Sequence, residues 1–182
     1  MDRWDKYFFD ICNAVAAKSP CLSRQVGVIL VRDHSIVSTG YNGPPRGFPH
    51  CSSVQAIISA RPISATSIAP GKIIRCKGEP QVVTVNSCPR RSKGYKSGEG
   101  LHECPAAHGE VNAIINAARL GTSVLGCTMY MNTKEISCKD CMIAIVNAGI
   151  TELVTLESIP YHEKSLEIAD FGNVTLRRFD LE

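Results

Sequence analysis

Apolar residues Trp4, Phe8, Ile11, Cys12 and Val15 recur at intervals of three and four, which predicts an amphipathic helix from about Arg3 to Lys18, stopped by Pro20. Val26 to Val31 and Ile36 to Tyr41 are β-branched runs. The four residues Arg32 to Ser35 between them predict a hairpin. Pro105 suits a helix start, because its missing N–H is not needed there. The apolar stripe Val111, Ile114, Ile115 and Ala118 then carries the helix to a stop at Gly121. Beyond it the pattern predicts a strand at Thr128 to Asn132, a helix from Lys139 to Ala148 ended by Gly149, a strand at Leu153 to Leu156, a helix at Lys164 to Asp170 and a last strand at Val174 to Phe179.

Strands alternating with helices after an antiparallel hairpin imply a mostly parallel sheet with helices on its faces, a three-layer α/β domain. From about Ser52 to Gly98 the pattern weakens into Pro, Gly and Ser, and only Lys72 to Arg75 and Gln81 to Val85 read as strands. This stretch reads as an insertion into a single domain. Its end carries Arg90, Arg91, Lys93 and Lys96. That cluster is either a solvated loop or a contact for phosphate.

The chain has 182 residues, 44% hydrophobic and 20% charged, with a net charge of +3. This composition excludes a disordered chain and fits one buried core. The charge is too mild to imply nucleic-acid binding by itself and suits a small anionic ligand equally well. The longest apolar runs, Val26 to Val31 and Met142 to Val146, fall far below the roughly 18 to 20 residues of a membrane helix. Met1 to Lys6 lacks the form of a secretory signal, so a cytoplasmic location is expected. Nine cysteines cannot all pair. In a reducing compartment they read first as metal ligands and then as core residues, with Cys12 and Cys127 the core candidates and Cys76 and Cys88 unassigned.

The chemistry gathers at two predicted helix starts, His108-Gly109-Glu110 and Cys138-Lys139-Asp140-Cys141. Two residues between the cysteines let both sulfurs face one ion from a single helical turn. One nitrogen and two thiolates fill three positions around Zn²⁺ and leave the fourth open, which marks a catalytic site. Helix starts favour thiolate through their partial positive charge. Glu110, two residues past the histidine, lies beside the metal without ligating it and is placed to shuttle protons.

These segments resemble the zinc-dependent deoxycytidylate (dCMP) deaminase family of the cytidine deaminase superfamily, whose HxE and PCxxC signature they match at the histidine, the glutamate and both cysteines. The likeness extends through Trp4 to Phe8, Cys21 to Gly47 with Ser38-Thr39-Gly40-Tyr41-Asn42-Gly43, Gly98 to Gly121 and Thr128 to Ile150. It implies a cytidine deaminase-like α-β-α fold with a five-stranded mixed sheet, zinc on His108, Cys138 and Cys141, and Glu110 as the proton shuttle. It further implies that Asn42 contacts the sugar, that backbone groups near Ala107 hold the pyrimidine edge, and that Tyr161, with Arg24 as a second candidate, lies near the nucleotide phosphate. Gly109 and Ser137 stand where the family usually has alanine and proline. Neither change removes a catalytic group.

The resemblance also implies a second, closed zinc site, with Cys21, Cys51, His102 and Cys104 as its ligands. Its expected reaction is hydrolysis of dCMP to dUMP and ammonia, feeding thymidylate synthesis. Regulation follows from the same likeness: a homo-oligomer, commonly a hexamer, activated by dCTP with Mg²⁺ and inhibited by dTTP, with Gly43, Pro44, Arg46 and Arg119 as effector or interface residues. Two competing readings keep the zinc site. One is a base deaminase acting on RNA, like the tRNA adenosine deaminases, although the Tyr41 to Gly47 loop and Tyr161 fit a mononucleotide better. The other is a catalytically silent zinc-stabilised binding module, against which Glu110 argues.

Overall fold

The computed structural model of the chain describes residues 3–48, 50–51, 56–58, 82–84, 88–96 and 98–181. In chain order these form α1 (Arg3–Ala16), β1 (Gly27–Arg32), β2 (Ser35–Tyr41), β3 (Ala56–Ile58), β4 (Val82–Thr84), α2 (Pro89–Ser92), a 3₁₀ turn at Leu101–Glu103, α3 (Gly109–Arg119), β5 (Thr128–Met131), α4 (Lys139–Asn147), β6 (Glu152–Thr155), α5 (Glu163–Phe171) and β7 (Thr175–Arg178). The main sheet has the order β2-β1-β5-β6-β7. β1 runs antiparallel to both β2 and β5, while β5, β6 and β7 are parallel. The five-stranded mixed sheet expected from the sequence is therefore present. β3 pairs with β4 alone. The strand expected at Lys72 to Arg75 and Cys76 lie outside the described residues.

Strand periodicity explains why β1 is apolar from Gly27 to Val31. Val28 and Leu30 point into one buried cluster with Met129, Met131 and Leu153, whereas Ile29 and Val31 point into the other with Tyr130 and Val154. A strand covered on both faces has no polar side. α1 closes the second cluster with Phe8 and Cys12, and α3, α4 and α5 close the first with Ala113, Met142, Ile145 and Ala169. The hairpin turn places Asp33 and His34 at φ 51° and 56°, the double left-handed geometry that suits tight hairpins.

Two expectations for α3 are corrected. Helix begins at Gly109 with His108 as its cap, four residues later than Pro105 suggested. Residues before it are extended because Ala107 donates its N–H to the Gly43 carbonyl and accepts the Gly43 N–H in return. The buried face is also rotated: Ala113 and Ala117 face inward, while Ile115 is 53% exposed. Gly40 of β2 lies against the α3 backbone, and only small residues fit the inner face at that separation.

A buried ion pair joins the chain's two ends. Asp5 on α1 is fully buried and takes both terminal nitrogens of Arg177 on β7. It also accepts the Asp180 backbone N–H at 2.8 Å. Arg177 Nε donates to Glu152 on β6 at 3.0 Å. With two carboxylates around it, led by the Asp5 contact, the guanidinium is held more firmly protonated than usual.

Candidate metal centre and active site

The starts of α3 and α4 meet beyond the end of β5. His108 caps α3 and Cys138 caps α4, both with extended backbone. His108 Nδ1 stands 3.5 Å from Cys138 Sγ and 3.3 Å from Cys141 Sγ. Among the described residues this is the one group whose three metal-ligating atoms all lie within 4.8 Å of one another. Such spacing suits a tetrahedral ion held at about 2.0 to 2.3 Å from each ligand. The donor set of one imidazole and two thiols fits zinc, with the fourth position open.

The charges of the centre favour a cation. The Cys138 thiol is pulled down to about 4, first by the Cys141 thiol and then by His108. Cys141 is pushed up because it keeps the proton that the pair shares. His108 is pushed up, led by its contact with Cys138, with Glu110 adding to the effect. Without an ion the centre already holds a thiolate beside a protonatable imidazole. Glu110, 4% exposed, lies in the first turn of α3 next to these ligands.

The centre opens into a cavity of about 440 Å³ whose wall includes Asn42, Arg24, Ala106, Glu110 and Tyr161. Asn42 Oδ1 accepts the Val26 N–H and the Ser19 hydroxyl, both at 2.8 Å. Its Nδ2 donates to the Arg24 carbonyl at 2.8 Å. The amide is thereby fixed in direction with one N–H left for a ligand. Tyr161 is 43% exposed at the cavity rim.

Several expected site residues are placed differently. Ala107 turns its N–H and carbonyl to Gly43, and its neighbour Ala106 faces the cavity instead. Arg24 reaches the cavity but is ion-paired to Glu135, so its charge is already compensated. The Gly43 N–H is engaged by the Ala107 carbonyl and is not free for an anion. Arg46 donates to Asn116 on α3 at 3.2 Å, Pro44 is half-buried, and Arg119 is exposed in the last turn of α3 away from the cavity wall.

The quartet Cys21, Cys51, His102 and Cys104 does not assemble at ligand spacing. The His102 side chain is 72% exposed, with its ring edge-on to Tyr95. The cysteines do gather: the Cys51 thiol is pushed up by burial and then by the neighbouring thiols of Cys88, Cys104 and Cys21. Cys12 and Cys127 are fully buried core residues, as expected. The Cys12 thiol, which donates to the Tyr130 carbonyl at 3.3 Å, is pushed by burial up to about 12. The basic stretch at Arg90 to Lys96 also joins the cavity wall, and the sequence alone had not connected it with the metal centre.

Residues 2–157 match the family model for the cytidine and deoxycytidylate deaminase zinc-binding region. The chain belongs to this family. It is 34% identical over 154 residues to the deoxycytidylate deaminase of Enterobacteria phage T4, covering 81% of this chain and 75% of that one. To the deoxycytidylate deaminase of Saccharomyces cerevisiae it is 29% identical over 178 residues, covering 97% of this chain and 45% of that one. The chain thus spans under half the length of this relative and of its Schizosaccharomyces pombe counterpart, of which it covers 44%. The dCMP deaminase of cyanophage S-TIM5, crystallised with dCMP and dUMP, shares the fold at a TM-score of 0.63 and 17% identity, covering 98% of both chains. The architecture is accordingly the cytidine deaminase-like fold, and within the matched zinc-binding region His108, Cys138 and Cys141 form the group that could hold a metal ion.

Proposed function

We propose that this protein hydrolyses dCMP to dUMP and ammonia. The observation that carries the reading is buried Glu110 beside a three-ligand centre with one open position, in a chain 34% identical to a phage deoxycytidylate deaminase. Zinc at such a centre supplies a water acidic enough to attack at neutral pH. The chain's residues do the rest. The Glu110 carboxylate takes one proton from the attacking water and passes it to the ring N3, then carries the remaining hydroxyl proton to the amino nitrogen, so that the C4–N bond breaks, nitrogen leaves as ammonia and the added oxygen stays as the C4 carbonyl of dUMP. Asn42 offers its remaining Nδ2 hydrogen to the sugar, and Ala106 supplies backbone beside the base. An ammonia-release assay with dCMP, CMP, dCTP, deoxycytidine and an adenosine-containing RNA hairpin tests the assignment. Turnover confined to deoxycytidylate supports it, whereas turnover of the hairpin alone replaces it with the RNA reading.

The proposal includes a supply of dUMP for thymidylate synthesis, a cytoplasmic site of action and one domain carrying an insertion at about 52–98. It also includes a homo-oligomer, activated by dCTP with Mg²⁺ and inhibited by dTTP. Exposed apolar side chains on the outer side of α3 and just beyond it, Ile115 and Leu120, favour assembly. Effector contact falls to the exposed part of the loop at Arg46 and Gly47, since the Gly43 N–H is engaged. Velocity against dCMP is then sigmoidal without dCTP and hyperbolic with it; superimposed curves remove the regulation and leave deamination standing. A second, closed zinc site belongs to the proposal on the cysteines that neighbour Cys51, namely Cys21, Cys88 and Cys104, which would have to draw together around the ion, since they do not stand at ligand spacing without it. Elemental analysis should give two zinc ions per chain in the native protein and one in Cys51→Ser.

A further inference from the structure

A phosphate dianion entering this cavity needs cations that no carboxylate already holds. Arg24 is paired with Glu135, and Lys93 with Glu103 at 2.6 Å. Across the cavity, α2 and the residues after it present Arg91, Tyr95 and Lys96 to the same space as His108, Glu110 and Cys138. Among the described residues, neither Arg91 nor Lys96 enters an ion pair. This segment is also built to hold its shape. Arg90 Nε donates to the Glu99 carbonyl at 2.6 Å and its terminal nitrogen to the Lys96 carbonyl at 2.9 Å. The Lys96 N–H is held by Glu99 Oε2 at 3.0 Å, and the Tyr95 N–H by the Arg90 carbonyl at 3.0 Å. Arg90 thus acts as a staple for the segment whose exposed residues Arg91 and Lys96 border the cavity.

We propose that Arg91 and Lys96 form the phosphate subsite of the cavity and make it selective for a nucleoside monophosphate over the nucleoside. The inference rests on the deoxycytidylate reading for its ligand and assigns the phosphate to the 90–96 segment instead of Arg24. Arg91 offers planar paired donors and Lys96 a mobile point charge, a combination suited to a terminal phosphate at the open end of a pocket. Tyr95 and Tyr161 line the same cavity.

The test is equilibrium binding of dUMP and of deoxyuridine to the zinc-loaded native protein, to R91Q/K96Q and to K93Q. A charge-assisted hydrogen bond contributes about 1.5 to 3 kcal/mol, so the double variant should bind dUMP about ten- to a hundredfold more weakly or worse. Its deoxyuridine affinity should stay within about twofold, and K93Q should bind both ligands as the native protein does. Equal loss of both ligands in R91Q/K96Q, unchanged dUMP affinity, or native protein that binds dUMP no tighter than deoxyuridine each overturns the subsite. Binding is read without turnover, so a protein that holds dUMP through Arg91 and Lys96 but does not deaminate dCMP would refute the proposed reaction and leave the subsite intact.

Discussion

Gly40 of β2 and Ala113 of α3 approach so closely that a Cβ on Gly40 would stand 2.3 Å from the Ala113 nitrogen and 2.4 Å from the Gly109 carbonyl oxygen. No rotation of a side chain relieves that contact, because both atoms are backbone. The glycine thereby sets how far the α3 start, with His108 and Glu110, sits from the sheet. Gly40→Ala should cost about 1 to 3 kcal/mol or more of stability and reduce zinc retention as α3 shifts. Thermal unfolding and metal content measured together check this. A variant with native melting temperature and full zinc would show that α3 is not positioned by this contact.

Gly109 stands where the family usually carries alanine, and the reason is local. A Cβ there would meet Val28 Cγ2 at 2.8 Å. Gly109→Ala alone should destabilise, while the same change with Val28→Ala should cost less than the two single changes added together. A coupling of at least about 0.5 kcal/mol in a double-mutant cycle is expected; additive costs would remove Val28 as the cause.

Arg177 is the partner of a fully buried carboxylate, Asp5, 172 residues earlier in the chain. Arg177→Met leaves that charge without its cation and should cost about 3 to 5 kcal/mol in urea unfolding. The double change with Asp5→Leu should recover much of the loss.

What could be read from the sequence divides along the range of the interactions. HxE and CxxC are local spacings set by one helical turn, so the centre His108, Cys138, Cys141 with Glu110 was legible, as were the alternating strands and helices. The late start of α3 was not, because Ala107 is held extended by Gly43, 64 positions away in the chain. Its buried face was misphased for a similar reason: only the approach of Gly40 makes small residues the inward ones. Arg24 was a candidate for the nucleotide phosphate, and its ion pair with Glu135, 111 positions further along the chain, is visible only once the chain is folded. That Cys88 lies near Cys51 while the His102 side chain is exposed likewise depends on where the insertion returns to the domain. The cation cluster at 90–96 was visible as composition, but its facing the metal centre is a property of tertiary structure alone.

Thiol chemistry separates the cysteines. With metal removed, Cys138, pulled down to about 4, is already thiolate throughout pH 6 to 8. Its alkylation rate should be nearly flat over that window, because a depressed group is lost to protonation only as the pH falls toward 4. An ordinary thiol would speed up about tenfold per pH unit there. Cys12, pushed up to about 12 and fully buried, should react only on unfolding. Rates followed by mass spectrometry, with zinc restored as a control that protects Cys138, check both points.

The most direct measurement is dUMP formation from dCMP by zinc-loaded native protein and by Glu110→Gln, with zinc content determined on the same samples. In the proposed reaction Glu110 moves protons and does not ligate the metal, so the variant should keep zinc on His108, Cys138 and Cys141 while losing at least about 10² to 10⁴ of the turnover. A zinc-replete Glu110→Gln that forms dUMP within tenfold of the native rate, or a native protein that forms none, would contradict the account.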